Sequence, residues 1–362
     1  MPQSPPISRR ALLAAPALAL FPRTRPAAAR ALPFPLRVHA PGWRVSLHAR
    51  LPRGIRLMVE DGFGNLLVSG YGRGNIHLLE PNGRVRTLAE GMRRPHGLLR
   101  DGRWLYVAEE HRVSRFIYDP AGLTGGEVIV AGIPTGGHVS RTIGKGPDGA
   151  FYLSVGSSCN VCIEDHPFRA AIMRFTPGGK VEVFARGLRN SVGFDVRPGE
   201  NVIYAVNAGR DMMGDDVPRE ELNRVVEGGH YGWPYVHARG VKDPEFWDRR
   251  PRGVRFIPPV FTFTAHSTPL SIRFPRRQPD ITPGAVALVA RHGSWNRSRK
   301  SGYDVLWLDF GADGRITARP FLTGFLKGQQ TLGRPVDVLE RRDGTVLVSD
   351  DYTGFIYRLT RA

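Results

Sequence analysis

One short pattern returns six times along this chain: a glycine or turn residue, then an alternating apolar strand. It reads Gly64-Asn-Leu-Leu-Val-Ser, Gly102-Arg-Trp-Leu-Tyr-Val-Ala, Gly149-Ala-Phe-Tyr-Leu-Ser-Val, Glu200-Asn-Val-Ile-Tyr-Ala-Val, Gly284-Ala-Val-Ala-Leu-Val and Gly344-Thr-Val-Leu-Val-Ser. A unit of this size cannot bury its own apolar face and must stack on its neighbours. A further strand usually follows, as at Asn75-Ile-His-Leu-Leu, Val113-Ser-Arg-Phe-Ile-Tyr and Ala171-Ile-Met-Arg-Phe. Turn sequences such as Glu80-Pro-Asn-Gly, Asp119-Pro-Ala-Gly and Thr176-Pro-Gly-Gly then lead into another strand.

Six units of three to four strands predict an all-β, six-bladed β-propeller. A sandwich would also use short strands, but not this repeat. Ring closure removes the lone edge that such strands would otherwise expose. The segment Leu36–Val45 is expected to pair with the C-terminal unit and close the ring. The interval between Glu200 and Gly284 is long and holds an insertion at about 210–262. Helix is expected only in short pieces such as Pro218–Val226. The 43 glycines and 30 prolines among 362 residues suit a turn-rich chain, and the length permits one large β domain.

The first 29 residues read as a separate signal. Ser8-Arg9-Arg10-Ala11-Leu12-Leu13 is a twin-arginine pattern, followed by an apolar run over 11–21 and small residues at Ala27-Ala28-Ala29. The expectation is twin-arginine export to the periplasm or beyond, leaving a single propeller over 30–362. The apolar run is too short to span a bilayer, and no other stretch is long enough. The formal charge is +18, and loss of Arg9, Arg10, Arg23 and Arg25 with the signal leaves +14. A basic surface steers toward acidic partners or anionic membrane. Nucleic acid is not expected, since no basic run interleaves with aromatics.

Two cysteines, Cys159 and Cys162, stand between strands. In an oxidising compartment they suit a short disulfide. Paired thiols, a metal site helped by the nearby His166, and inert thiols are the other readings.

The repeat also places polar residues. Each unit has an entry loop just before its innermost strand, and these loops hold Arg53, His96, His138, Arg189 with Asn190, His266 and Arg334. Equivalent positions in a ring point to one end of the central channel. Three histidines and three arginines are therefore expected to converge there, where they would favour an anionic ligand. Arginine forks suit carboxylates. The loop Gly209-Arg210-Asp211 follows the fourth unit's inner strands. Its carbonyls, with Asp215, Asp216, Glu220 and Glu221 near, offer oxygens to a hard cation such as calcium; a solvated acidic loop is the plainer reading. His230-Tyr-Gly-Trp233-Pro reads as a packing corner. Ser294-Trp295-Asn296-Arg297 is placed at the channel mouth.

Four segments carry a resemblance that spans roughly residues 40–360. They are Arg189-Asn190, the Gly-Arg-Asp…Gly-Asp-Asp stretch from Gly209, the Gly-Gly-His-Tyr-Gly-Trp-Pro turn, and His-Gly-Ser-Trp-Asn-Arg at 292–297. In these the chain resembles the glucose/sorbosone dehydrogenase family, soluble quinoproteins that carry pyrroloquinoline quinone (PQQ) and calcium on a six-bladed propeller. The resemblance implies oxidation of a sugar, polyol or sugar aldehyde, with electrons passed to an acceptor such as a cytochrome or membrane quinone. It implies that His138 is the general base, and that Arg189 and Asn190 hold the quinone oxygens. The backbone carbonyls of Gly209 and Arg210 would bind calcium, and Arg334 would pair with the cofactor carboxylates. His96 sits where the glucose enzyme places a glutamine near substrate, and the entry-loop ring itself adds His96, Arg53 and His266 to the expected cofactor pocket. The chain departs from the glucose enzyme in two places. Ser157-Ser158 stands where that enzyme has an acid, and no lysine matches its cofactor-binding lysine; His292, Trp295 or Arg297 occupies that loop. Glucose itself is not supported. Two rival readings remain: a calcium-dependent propeller lactonase, which needs side-chain carboxylates at the channel, and a non-catalytic binding module.

Overall fold

The computed structural model describes residues 31–361, so the twin-arginine and cleavage readings lie outside the described residues. Six antiparallel sheets follow one another around a ring. The first blade comprises Ile55–Glu60, Leu66–Gly70, Asn75–Leu79 and Val85–Ala89, from the axis outward. The second comprises Gly97–Asp101, Trp104–Ala108, Val113–Asp119 and Gly122–Val130. The third comprises Arg141–Lys145, Phe151–Val155, Ala171–Phe175 and Glu182–Arg186. The fourth comprises Phe194–Arg197, Val202–Asn207, Glu220–Val225 and Phe261–Phe263. The fifth comprises Pro269–Arg273, Val286–Arg291, Asp304–Phe310 and Ile316–Thr323.

The sixth blade takes three strands from the C-terminus, Pro335–Glu340, Val346–Asp350 and Phe355–Arg361, and its outer strand, Trp43–Arg50, from the start of the fold. Trp43 pairs with Arg361 and Arg50 with Phe355, so the two chain ends lock the ring by a ladder of backbone hydrogen bonds. The Leu36–Val45 expectation needs correcting in part. Only its end, from Trp43, joins the last blade; Arg37–Val38 pairs with Ile316–Thr323 at the outer edge of the fifth.

The six repeated strands are the second strand of each blade. They are buried along nearly their whole length, as in Leu66–Gly70 and Val346–Asp350, because blades cover both of their faces. Outer strands such as Val85–Ala89 alternate, because one face meets water. Inter-blade seams carry the core. In one, Tyr106, Ile143, Phe151, Leu153 and Met173 join the second and third blades. Full burial of each such side chain contributes about 2 kcal/mol. The turns behave as read: Gly83 donates to the Glu80 carbonyl and Gly179 to that of Thr176.

The expected helix at Pro218–Val226 is not there. Glu220–Val225 is the third strand of the fourth blade, pairing with Val202–Asn207 and Phe261–Phe263. Its acidic, proline-led start imitates a helix N-terminus, but packing of Leu222 and Val225 between neighbouring strands decides the outcome. The remainder of the long interval adds Gly229–His230 as a parallel fifth strand of the third blade, a small hairpin (Val236–His237, Val241–Lys242) and one 3-10 turn, Trp247–Arg249.

Candidate active site

Blade topology puts two sets of loops on one face: the entry loops before each innermost strand, and the loops joining second to third strands. The six entry loops carry the predicted His and Arg residues. The joining loops bring Tyr71, Glu110, Ser157, Gly209–Asp211, His292 and Asp351 to the same mouth.

His138 sits on the 134–140 loop, which two buried arginines staple from below. Arg141 donates to the carbonyls of His138 (2.8 Å), Ser140 (2.9 Å) and Pro134 (2.8 Å). Arg169 donates to those of Gly136 (2.9 Å) and Thr135 (2.5 Å). The backbone N–H of His138 donates to the Ser157 carbonyl at 2.9 Å. A side chain at Gly137 would collide with the Ser158 backbone at 2.5 Å, so only glycine lets this loop close on 157–158. Burial, then the nearby Arg189 charge, push the His138 imidazole down to about 3, so it is neutral at physiological pH.

Asn190 adjoins His138: a Cβ built on Gly156 would touch Asn190 Oδ1 and His138 Cβ, each at 2.6 Å. Arg189 is buried and fully engaged. Its Nε donates to the Asn160 carbonyl (2.8 Å), Nη1 to those of Gly209 (2.5 Å) and Ala208 (3.5 Å), and Nη2 to Asn160 Oδ1 and Asp211 Oδ2 (both 2.9 Å). Asp211 also lies 3.9 Å from His266 Nδ1, while His266 Nε2 meets the Gly214 carbonyl at 2.8 Å. The side chain of Arg210 turns away from the mouth to Asp243, which is bonded to His237 as well, and to Glu245. Glu220, pushed up to about 7 by burial, accepts from the Gly209 and Thr268 amides at 2.5 and 3.1 Å.

A second network completes the ring. Asp351 bridges Arg56 (3.1 Å) and His292 (2.9 Å). Burial opposes its ionisation, but His292 and Arg56 hold its carboxyl at about 2. Arg334 donates to the carbonyls of His292 (3.1 Å) and Gly293 (2.7 Å) and stacks on Tyr303. His96 is fully buried beside Tyr71, with Nε2 unpartnered; burial and then the charge of Arg56 push it down to about 3.

The structure therefore brings His138, Asn190, Arg189 and His266 into one contact chain, and joins His96 and Arg334 to a second through the charges of Arg56, Asp351 and His292. Arg53 is outside both: it is exposed and packs over Tyr352. Cys159 and Cys162 form a disulfide. The loop it closes contains Asn160, a partner of Arg189 that sequence reasoning missed. It also missed Arg56, Arg141, Arg169 and Asp351. Equivalent positions after each second strand carry the signal for Asp351, as the positions before each innermost strand do for the entry-loop residues.

An anionic ligand suits this mouth. His96 Nε2 is a buried polar atom without a partner, Arg334 places only Nε and Nη2 on carbonyls, and Asn190 Oδ1 lies beside the His138 side chain. For a calcium ion the fit is conditional: the Gly209 carbonyl already accepts from Arg189, and calcium must share that oxygen or displace the guanidinium.

A family model described as TrAA12-like matches residues 37–236 and 246–362. An uncharacterized protein of Borreliella burgdorferi is 32% identical over 85% of each chain. The pyrroloquinoline quinone-dependent pyranose dehydrogenase of Coprinopsis cinerea is 27% identical over 86% of this chain, which spans about half (52%) of that enzyme. A calcium structure of a Trichoderma reesei carbohydrate-active enzyme of family AA12 superposes with a TM-score of 0.79, covering 93% of this chain and 100% of that one at 24% identity. With its family model matched over nearly all of the propeller, the chain belongs to the TrAA12-like family.

Proposed function

We propose that this propeller is a PQQ-dependent sugar dehydrogenase, oxidising a sugar, polyol or sugar aldehyde. One observation carries the reading. A neutral histidine, His138, stands beside Asn190 and the buried Arg189 at the mouth of a ring that also carries Arg56, Arg334 and the unpartnered Nε2 of His96. The names of the curated relatives agree with it.

When bound, PQQ supplies a two-electron acceptor for hydride and calcium a Lewis acid beside it. The residues that would hold the quinone are Asn190, Arg334, His96 and, after release of a carbonyl partner, Arg189; Arg53 and His266 remain candidates at the edge. The carbonyls of Gly209 and Arg210 would hold the calcium. The chain's own chemistry centres on a proton. His138 Nε2 would accept it from the substrate hydroxyl; burial keeps the imidazole unprotonated at neutral pH while lowering its basicity. Arg141 and Arg169 fix the loop that aims the ring.

The lactonase reading needs free carboxylates. Here Asp211 serves Arg189, Asp351 serves Arg56 and His292, and Glu220 serves two backbone amides. Among the described residues, the group of acid, thiol or imidazole side chains close enough to hold a metal is Cys159, Cys162 and Glu164, and its thiols are closed in the disulfide.

Export through the twin-arginine pattern belongs to the same proposal, as does electron transfer to a cytochrome or membrane quinone favoured by the basic surface. Cell fractionation of wild type and an Arg9→Lys, Arg10→Lys variant tests export: accumulation of the variant in the cytoplasm supports it. For the activity, purified protein is given PQQ and calcium and assayed for sugar-dependent dye reduction. Reduction that disappears in His138→Ala supports the dehydrogenase. Lactone hydrolysis without quinone supports the hydrolase instead, and the absence of both supports a binding module.

A further inference from the structure

His138 has a partner that no carboxylate provides. Its Nδ1 lies 2.9 Å from Ser157 Oγ and 3.2 Å from the Ser157 carbonyl. A carbonyl only accepts, so a hydrogen bond to it requires the proton on Nδ1. The hydroxyl supports the same assignment independently. Ser157 Oγ donates its one hydrogen to the Cys159 carbonyl at 2.6 Å, so toward the imidazole it has only a lone pair to offer. Both oxygens facing Nδ1 are thus acceptors, and Nε2 is left as the bare lone pair. The direction of the hydroxyl depends on the Cys159 carbonyl, and the disulfide to Cys162 closes the loop that carries it. Ser157 is itself tied on both sides. Its N–H donates to the Arg189 carbonyl at 2.7 Å, and its carbonyl accepts from the His138 N–H at 2.9 Å.

We propose that Ser157 is a positioning residue that sets the tautomer of His138: with its hydroxyl aimed at the Cys159 carbonyl, it holds the imidazole proton on Nδ1 and presents Nε2 as the proton acceptor. A serine can do this without adding charge, so the histidine is oriented but not made more basic, unlike a histidine backed by a carboxylate. The catalytic consequence rests on the quinoprotein reading. The tautomer does not, and it is read on protein without cofactor.

The test uses apoprotein labelled with 15N-histidine, whose ring nitrogens are assigned by the signals lost in His138→Gln. At neutral pH the spectrum is expected to show His138 Nδ1 as pyrrole-like and Nε2 as pyridine-like. Ser157→Ala is expected to mix the two tautomers, and Ser157→Thr, which keeps the hydroxyl, to restore the wild-type pattern. In protein given PQQ and calcium, Ser157→Ala is expected to lower kcat about tenfold with KM little changed. A pyrrole-like Nε2 in the wild type, or nitrogens unmoved in Ser157→Ala, would overturn the inference. If the spectra behave as expected and no quinone-dependent oxidation is found, the tautomer assignment stands and the dehydrogenase reading falls.

Discussion

The guanidinium of Arg189 donates to the carbonyl oxygen of Gly209 at 2.5 Å, so the backbone oxygen proposed for calcium already serves an arginine. The same guanidinium is anchored by Asp211 and by both oxygens of Asn160. Arg189 is thus placed to trade partners: a cation taking Gly209 would free Nη1 for another acceptor. Arg189→Ala is expected to leave calcium affinity unchanged or higher, since it uncovers the carbonyl. Turnover should nevertheless fall by about 100-fold or more through the lost donors. Calorimetric titration with calcium and steady-state rates with sugar would separate the two effects; weaker calcium binding together with unimpaired turnover would refute this partition.

The buried histidines make acid the vulnerable direction. His138 and His96 are pushed down to about 3 and His292 to about 4 from an ordinary value of 6.5. Below 6.5 the unfolded chain takes up protons that the fold refuses, so their contribution to stability is full above that pH and drains away toward 4 and 3. Thermal unfolding followed from pH 7 to pH 4 should show a falling midpoint. Turnover limited by His138 protonation, by contrast, should hold to about pH 5. An acid limb centred near 6.5 would contradict the buried, neutral base.

Asp351 holds the Arg56 guanidinium on one side and the His292 imidazole on the other. Asp351→Ala leaves Arg56 and His292 without their shared partner at a buried position, at an expected cost of about 3 kcal/mol. Asp351→Asn should cost less, since it can still hydrogen-bond both. Chemical denaturation of the two variants beside wild type measures this; equal stability would show that the bridge contributes nothing net.

Reduction of Cys159–Cys162 should separate activity from stability. The loop closed by the bridge is very short, so its loss costs little chain entropy. Yet that loop supplies Asn160 to Arg189 and the Cys159 carbonyl to Ser157. In a Cys159→Ser, Cys162→Ser variant the melting temperature is expected to move by a few degrees at most, while activity falls about tenfold. Scanning calorimetry beside a rate measurement decides; a large melting shift with full activity would reverse the assignment.

Closure of the ring is the last mechanical test. Deleting residues up to Arg50 strips Trp43–Arg50 from Phe355–Arg361 and exposes an unpaired, apolar edge. Such a protein is expected to aggregate, whereas removal of residues 1–30 should leave a folded monomeric propeller. Size-exclusion chromatography distinguishes the two.

The six-fold return of a glycine-led apolar strand was enough to call for a propeller, because each unit's strands are too apolar to stand without neighbours on both faces. It was also enough to number the entry loops, since equal places in a repeat share an end of the ring. Local sequence misled at Pro218–Val226, where acids after a proline look like a helix start and the neighbouring strands of the blade impose extension on Glu220–Val225. The closing strand begins at Trp43 and not at Leu36 for a similar reason: register between the two ends of the chain is set by packing, not by anything local. What only the tertiary structure decided is which polar atoms are taken. That Arg189 spends its donors on Asn160, Gly209 and Asp211, that Ser157 stands behind His138, and that Arg53 lies apart over Tyr352 follow from loops of different blades folding onto one another. A repeat specifies the end of the ring at which a side chain emerges; the partner it meets there comes from another blade, and no local pattern encodes that distance.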